Sequence, residues 1–160
     1  MDSLPDPSPA LPLDASWIYK VAVLADLVAK RVARIAAREG GLSLAQWRVL
    51  AALADRPGRT AREVVDVTPM DKGMVSRAVT ALAERRLVAR QADGADARRV
   101  FLTLTEEGQA TFAAIAAELH RTGADGRAAA GGGEAGMVAQ LDDLIARYGE
   151  GGRARNARPS

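Results

Sequence analysis

The sequence predicts a mainly α-helical fold with one small β-ribbon. Three observations carry that expectation. Apolar residues recur at helical spacing in six separate stretches, the signature of amphipathic helices. Between residues 87 and 104 the period changes to strict alternation, with Val88, Val100, Leu102 and Leu104 on one face, as in a half-buried ribbon. Capping residues precede most helical stretches, and glycine or proline ends several of them. With 160 residues, 48% of them apolar and 26% charged, the chain suits one globular domain.

Residues 1–14 contain Pro5, Pro7, Pro9 and Pro12 and read as a disordered arm. Ser16 is a suitable N-cap for a long helix in which Ile18, Val21, Ala25, Val28, Val32 and Ile35 form a heptad seam, widened by Trp17, Leu24 and Leu27. Gly40 and Gly41 stop it. Ser43 with Gln46 is a capping-box pattern for a second helix carrying Leu44, Trp47, Leu50, Ala51 and Ala54, ended by Pro57-Gly58. Thr60 caps a short helix with Val64 and Val65 inward. After a turn over residues 66–70, Asp71 caps a helix running to about Arg86 with Val75, Ala78, Val79 and Leu82 on one face. Two strands, 87–91 and 99–104, flank a loop at Asp93-Gly94. Thr105 caps the next helix, where Glu106 and Glu107 complement its positive end and Phe112, Ile115, Ala116 and Leu119 face inward. Residues 123–136 read as a loose Gly/Ala loop, Met137, Leu141, Leu144, Ile145 and Tyr148 as a last amphipathic helix, and 149–160 as a disordered Gly/Arg tail. Helix, turn, helix and then a ribbon is the winged helix-turn-helix layout. It is expected over 43–104 of a domain spanning 15–148, inside a helical dimerisation frame of 15–39 and 105–148. The small core cannot cover the apolar stripes of that frame, whereas a second copy would, which predicts a homodimer.

The side-chain inventory excludes much chemistry. With no cysteine there is no disulfide, thiolate nucleophile or iron–sulfur cluster. The one histidine, His120, speaks against a zinc site or a Ser-His-Asp triad; its place near a helix C-terminus is explained by the helix dipole. No enzyme activity, cofactor or metal is expected. No apolar run is long enough to span a membrane, and the first residues lack the charge pattern of a signal peptide, so a cytoplasmic protein is expected. The formal charge is only +2, but residues 56–99 carry ten Lys or Arg against six carboxylates. A basic middle in a near-neutral chain suits a nucleic-acid-binding face and equally a solvated surface.

The segment Asp96-Ala97-Arg98-Arg99-Val100-Phe101-Leu102-Thr103-Leu104-Thr105-Glu106-Glu107-Gly108 has the form D-x-R-x-x-x-L-x-L-T-x-x-G. It resembles the wing and following helix cap of the MarR (multiple antibiotic resistance regulator) family. Leu44 to Leu50, Asp71 to Arg77 and Leu82 to Val88 are similar to that family's second helix, recognition helix and helix-to-wing junction. The resemblance runs from about residue 15 to 148. It implies a homodimeric, sequence-specific regulator of transcription that binds double-stranded DNA at an inverted-repeat operator, more often a repressor. It also implies that Arg98 enters the minor groove and Asp96 orders the wing. A long cation at a projecting tip suits a narrow minor groove, where the negative potential is enhanced.

Along the recognition helix, Lys72, Gly73, Met74, Ser76, Arg77 and Thr80 are left facing outward. Arg77 is the candidate for bidentate recognition of guanine; Lys72 and Ser76 suit phosphates or base edges, and Met74 a thymine methyl. Thr60 and Arg62 are expected on the phosphate backbone. Gly73-Met74 departs from the family, in which small hydroxylated residues are common at that place, and this bears on the operator sequence. The family also implies a small aromatic effector, for which Trp17 and Trp47 are the candidate contacts, although a tryptophan on an apolar stripe is more often core. The competing function is a winged-helix protein–protein interaction module without DNA binding. Such a module has no need of outward-facing Lys72, Arg77 and Arg98.

Overall fold

A computed structural model describes residues 13, 15–94, 96, 99–123 and 133–155, in two compact units, 1–116 and 117–160. In the first unit, α1 (Trp17–Gly40) starts on Ser16, whose hydroxyl accepts the N–H of Tyr19. It ends at Gly41, left-handed at φ 61°, where the N–H groups of Gly41 and Leu42 return to the carbonyls of Ala37 and Ala36. Only glycine adopts that backbone freely. α2 (Leu44–Asp55) opens on the expected capping box of Ser43 and Gln46. Its buried residues are Trp47, Val49, Leu50, Ala52 and Leu53, with Leu44, Ala51 and Ala54 half-buried. The buried face is wider than the expected stripe because α2 is central, touching α1, two further helices and the sheet.

β1 (Arg59–Thr60) leads into α3 (Ala61–Val67), and α4 (Lys72–Glu84) follows, capped by Asp71. α4 ends in a Schellman motif: Arg86 N–H reaches the Ala83 carbonyl and Leu87 N–H the Leu82 carbonyl, with Arg86 at φ 58°. Leu82 and Leu87 are both buried there. β2 (Val88–Ala92) and β3 (Val100–Leu104) form the ribbon, registered Val88 to Leu104 and Ala92 to Val100. β2 is shifted by one residue from the expected 87–91, and β3 starts one residue later than expected but ends at 104 as expected. The ribbon is also not two-stranded: β1 joins β3, with Arg59 opposite Leu102, giving the antiparallel order β1-β3-β2. Two residues carry no period, so nothing in the sequence marks β1.

α5 (Glu106–Thr122) begins beside the end of α4 and crosses into the second unit. The Thr105 hydroxyl donates to the Arg86 carbonyl and accepts from the Gly108 N–H, while the Thr105 N–H reaches the Leu87 carbonyl. A Cβ on Gly108 would stand 2.0 Å from the Leu87 oxygen. The Thr-x-x-Gly pattern thus has a physical cause: threonine ties α5 to the junction, and glycine allows the contact. Leu42, Leu50, Leu53, Leu82, Leu87 and Ile115 are fully buried in this unit.

In the second unit α6 (Gly133–Arg155) starts earlier and continues further than expected. Residues 133–136 are helical rather than loop, and 149–155 are helical rather than disordered tail. Each glycine costs a helix about 1 kcal/mol, which is why the glycines at both ends read as loop and tail in the sequence. The heptad seam of α1 is largely exposed. Ile18 and Leu27 are each 58% exposed, and Val21, Leu24 and Val28 are exposed as well; burial begins only at Ile35 and Ala36. On α6, Leu141, Ile145 and Tyr148 are also exposed.

Candidate nucleic-acid interface

α4 turns Val75, Ala78, Val79 and Leu82 into the core. Its opposite face therefore presents Lys72, Gly73, Ser76, Arg77 and Thr80 as exposed residues, with Met74 half-buried. The Asp71 carboxylate accepts the Met74 N–H at 2.7 Å and fixes the start of this face. Lys72 and Ser76, with Arg62 of α3, line a cleft of about 400 Å³ floored by Ala61 and Val65. On the other flank Met74 and Arg77 line a smaller recess with Ser43, the N-cap of α2, and Gln46. The Arg77 guanidinium lies back over Gly73, near enough that a Cβ there would meet its Nη1 at 3.2 Å. Among the described residues no carboxylate pairs with Arg62, Lys72 or Arg77.

Thr60 caps α3 as expected. Its hydroxyl is engaged in a capping box, accepting the Glu63 N–H and donating to the Glu63 carboxylate at 2.9 Å. The backbone N–H and then the hydroxyl of Thr60 hold the Glu63 carboxyl below its ordinary range, aided by Arg56 at 2.7 Å. Three basic residues of the middle segment are likewise occupied within the fold. Arg59 is buried, donating to the Ala52 carbonyl and paired with Asp55 at 2.7 Å. Arg56 holds Glu63, and Arg85 caps the carbonyls of Gly40 and Gly41, each at 2.9 Å. The charge count thus overstates the basic surface.

At the wing, the Arg99 N–H bonds the Asp96 carbonyl at 2.9 Å and the Asp93 N–H bonds the Arg99 carbonyl at 2.8 Å. Arg99 lies over the Phe101 ring at 5.4 Å, a cation–π contact. Arg98 lies outside the described residues. A feature absent from the sequence reading is Arg90 of β2, whose Nη2 donates to the Thr80 hydroxyl of α4 at 3.0 Å. Only folding brings these two together.

The two tryptophans are not brought together within the chain. Trp47 is buried and stacks on Phe112, with ring centroids 5.3 Å apart. Trp17 is half-exposed at the far end of α1, a helix about 35 Å long at 1.5 Å per residue. Beside Phe112 is a cavity of about 460 Å³ lined chiefly by Leu53, Pro57, Thr103, Leu104 and Gln109.

Three helices with a ribbon packed behind the outward face of α4 define a winged helix-turn-helix protein. The family model for the MarR family, a family of transcription regulators, matches residues 40–99. Transcriptional regulator HosA of Escherichia coli O127:H6 is 34% identical over 73 residues, 46% of this chain and 54% of the relative, so the chain spans about half the length of that relative. The fold is similar to that of CouR from Rhodococcus jostii, solved bound to p-coumaroyl-CoA (TM-score 0.73, 22% identity, 86% of this chain and 93% of that one). It is also similar to BpsR of Bordetella bronchiseptica, whose DNA binding is regulated by 6-hydroxynicotinic acid (TM-score 0.62, 26% identity, 78% and 98% covered). These relatives are regulators rather than enzymes. Among the described residues no helix is long and apolar enough to cross a membrane.

Proposed function

We propose that the chain is a cytoplasmic, homodimeric regulator that binds double-stranded DNA at an inverted repeat and is released by a small aromatic effector, acting as a repressor. The observation that carries this reading is the face of α4. It holds exposed Lys72, Ser76 and Arg77 with Arg62 beside them, and none of the three cations among these residues is neutralised by a carboxylate among the described residues. A protein–protein module has no reason to leave those charges clustered and unpaired.

In a two-fold dimer the recognition helices enter successive major grooves about 34 Å apart. Arg77 reads a guanine, Lys72 and Arg62 neutralise phosphates, and Arg98 reaches the adjacent minor groove from the wing. Trp47 and Trp17 remain the candidate effector contacts of this reading, and relatives that meet aromatic ligands support the ligand class. The ligand acts by fitting one spacing of the recognition helices better than another.

The test is a salt titration of wild type, Arg77→Ala and Arg98→Ala on a duplex from the DNA flanking the protein's own gene and on a scrambled one. Arg77→Ala is expected to lose about 1–3 kcal/mol on the specific duplex and relax one position per half-site. Arg98→Ala is expected to weaken both duplexes and flatten the salt dependence. Wild-type protein that prefers no duplex would leave the interaction-module reading in its place.

A further inference from the structure

We infer that Arg90 is a DNA phosphate ligand, held by Thr80 at the point where the DNA backbone crosses between recognition helix and wing. The inference rests on the DNA-binding reading above.

Three observations support it. The first is location. Arg90 sits in the middle of β2, opposite Leu102 of β3, and its Nη2 donates to Thr80 on the outward face of α4 at 3.0 Å. It therefore bridges the two elements that enter different grooves. A helix in the major groove and a wing in the adjacent minor groove are separated by one phosphodiester strand, which must pass over the residues that join them. The second is charge. Both residues are exposed, and among the described residues the partner of the Arg90 guanidinium is a neutral hydroxyl rather than a carboxylate. Arg56 and Arg59 have acidic partners, and Arg85 is spent on two carbonyls. Arg90 instead keeps its full positive charge on the reading side of α4. The third is donor geometry. A guanidinium carries five N–H donors in a planar fork, and the bond from Nη2 to Thr80 uses one of them while restricting the side chain. A pre-oriented fork loses less rotamer freedom when it meets phosphate oxygens.

The bond also changes the role of Thr80, which the sequence alone marks as a direct DNA contact. Its oxygen orients Arg90, so Thr80 is a positioning residue. Because phosphates carry no sequence information, Arg90 is expected to strengthen binding to all duplexes alike, unlike Arg77.

The experiment uses the full chain, a duplex recovered from a random pool by selection, and a scrambled duplex of the same length. Binding is measured from 50 to 200 mM salt, and urea unfolding is recorded for each variant. Arg90→Gln is expected to weaken both duplexes by a similar factor. It should make the affinity drop across that salt range about three- to fourfold smaller, the loss of one phosphate contact. Arg90→Lys should keep the wild-type salt slope, and Thr80→Val should keep the slope while weakening binding less than Arg90→Gln. Folded Arg90→Gln with an unchanged slope, or with a loss confined to the selected duplex, overturns the inference. So does loss of slope in folded Arg90→Lys. Wild-type protein that binds neither duplex instead overturns the DNA-binding reading itself, so the two failures are distinguishable.

Discussion

Gly108 shows how much one missing Cβ decides. The first turn of α5 lies against the Leu87 carbonyl so closely that a methyl group would stand 2.0 Å from its oxygen, and the obstacle is backbone. Gly108→Ala is expected to destabilise the fold by about 1–3 kcal/mol, as overpacking does, seen as a lower urea midpoint; an unchanged midpoint would show that the junction yields freely. Gly73 is the opposite case. The neighbours of its absent Cβ are the ends of the Arg77 and Asp71 side chains, which move easily. Gly73→Ala should therefore stabilise α4 by up to about 1 kcal/mol while displacing the Arg77 guanidinium, so unfolding and DNA affinity should move in opposite directions. Glu63 gives a pH dependence. Its carboxyl is held below its ordinary value of 4.5 by Thr60 and Arg56, so its contribution to stability is present above that value and is lost as pH falls through the folded one. Glu63→Gln should flatten the acid limb of a stability-against-pH curve; an identical limb would show that the capping box does not discriminate between the two forms.

The elements are joined at their ends more than along their lengths. Arg85, the C-cap of α4, donates to both Gly40 and Gly41 across 45 and 44 residues of sequence. The recognition helix is thereby tied to the end of the long α1. Arg85→Ala should lower stability by about 1–2 kcal/mol, and Arg85→Lys should recover only part of it, because an ammonium lacks the fork. Full recovery by lysine would mean that charge alone holds the junction. The caps were legible in the sequence because each is local: Ser16, Ser43, Thr60, Asp71 and Thr105 act within three or four residues of themselves. Apolar period marked the inward face of α4 for the same reason. The features that escaped are those made by tertiary structure. β1 is too short to show a period, the Arg90–Thr80 bond joins two elements, and burial of Arg59 depends on Asp55 and Ala52 lying one side of a turn. A charge count treats Arg59 and Arg77 alike; their surroundings in the fold separate them.

At the scale of the molecule, the governing fact is an exposed apolar face on α1. Ile18, Val21, Leu24, Leu27 and Val28 are all exposed along α1, and a contiguous patch of that kind on a water-facing helix marks an interface. Burying a leucine is worth about 1.5–3 kcal/mol, so burial of several seam residues from each of two copies is expected to offset the entropy of association in the proposed dimer. In the proposed two-fold assembly two α4 faces would be presented at fixed separation, which would turn a weak half-site contact into selective binding of an inverted repeat. Leu24→Glu with Leu27→Glu places charge in the seam without touching the winged core. Sedimentation should then show a monomer, urea unfolding of the winged core should change little, and DNA affinity should fall steeply on an intact inverted repeat but only slightly on a single half-site. A double variant that remains dimeric would put the interface elsewhere. A monomeric variant that still prefers the full repeat as strongly as wild type would show that the pairing of recognition helices does not come from α1.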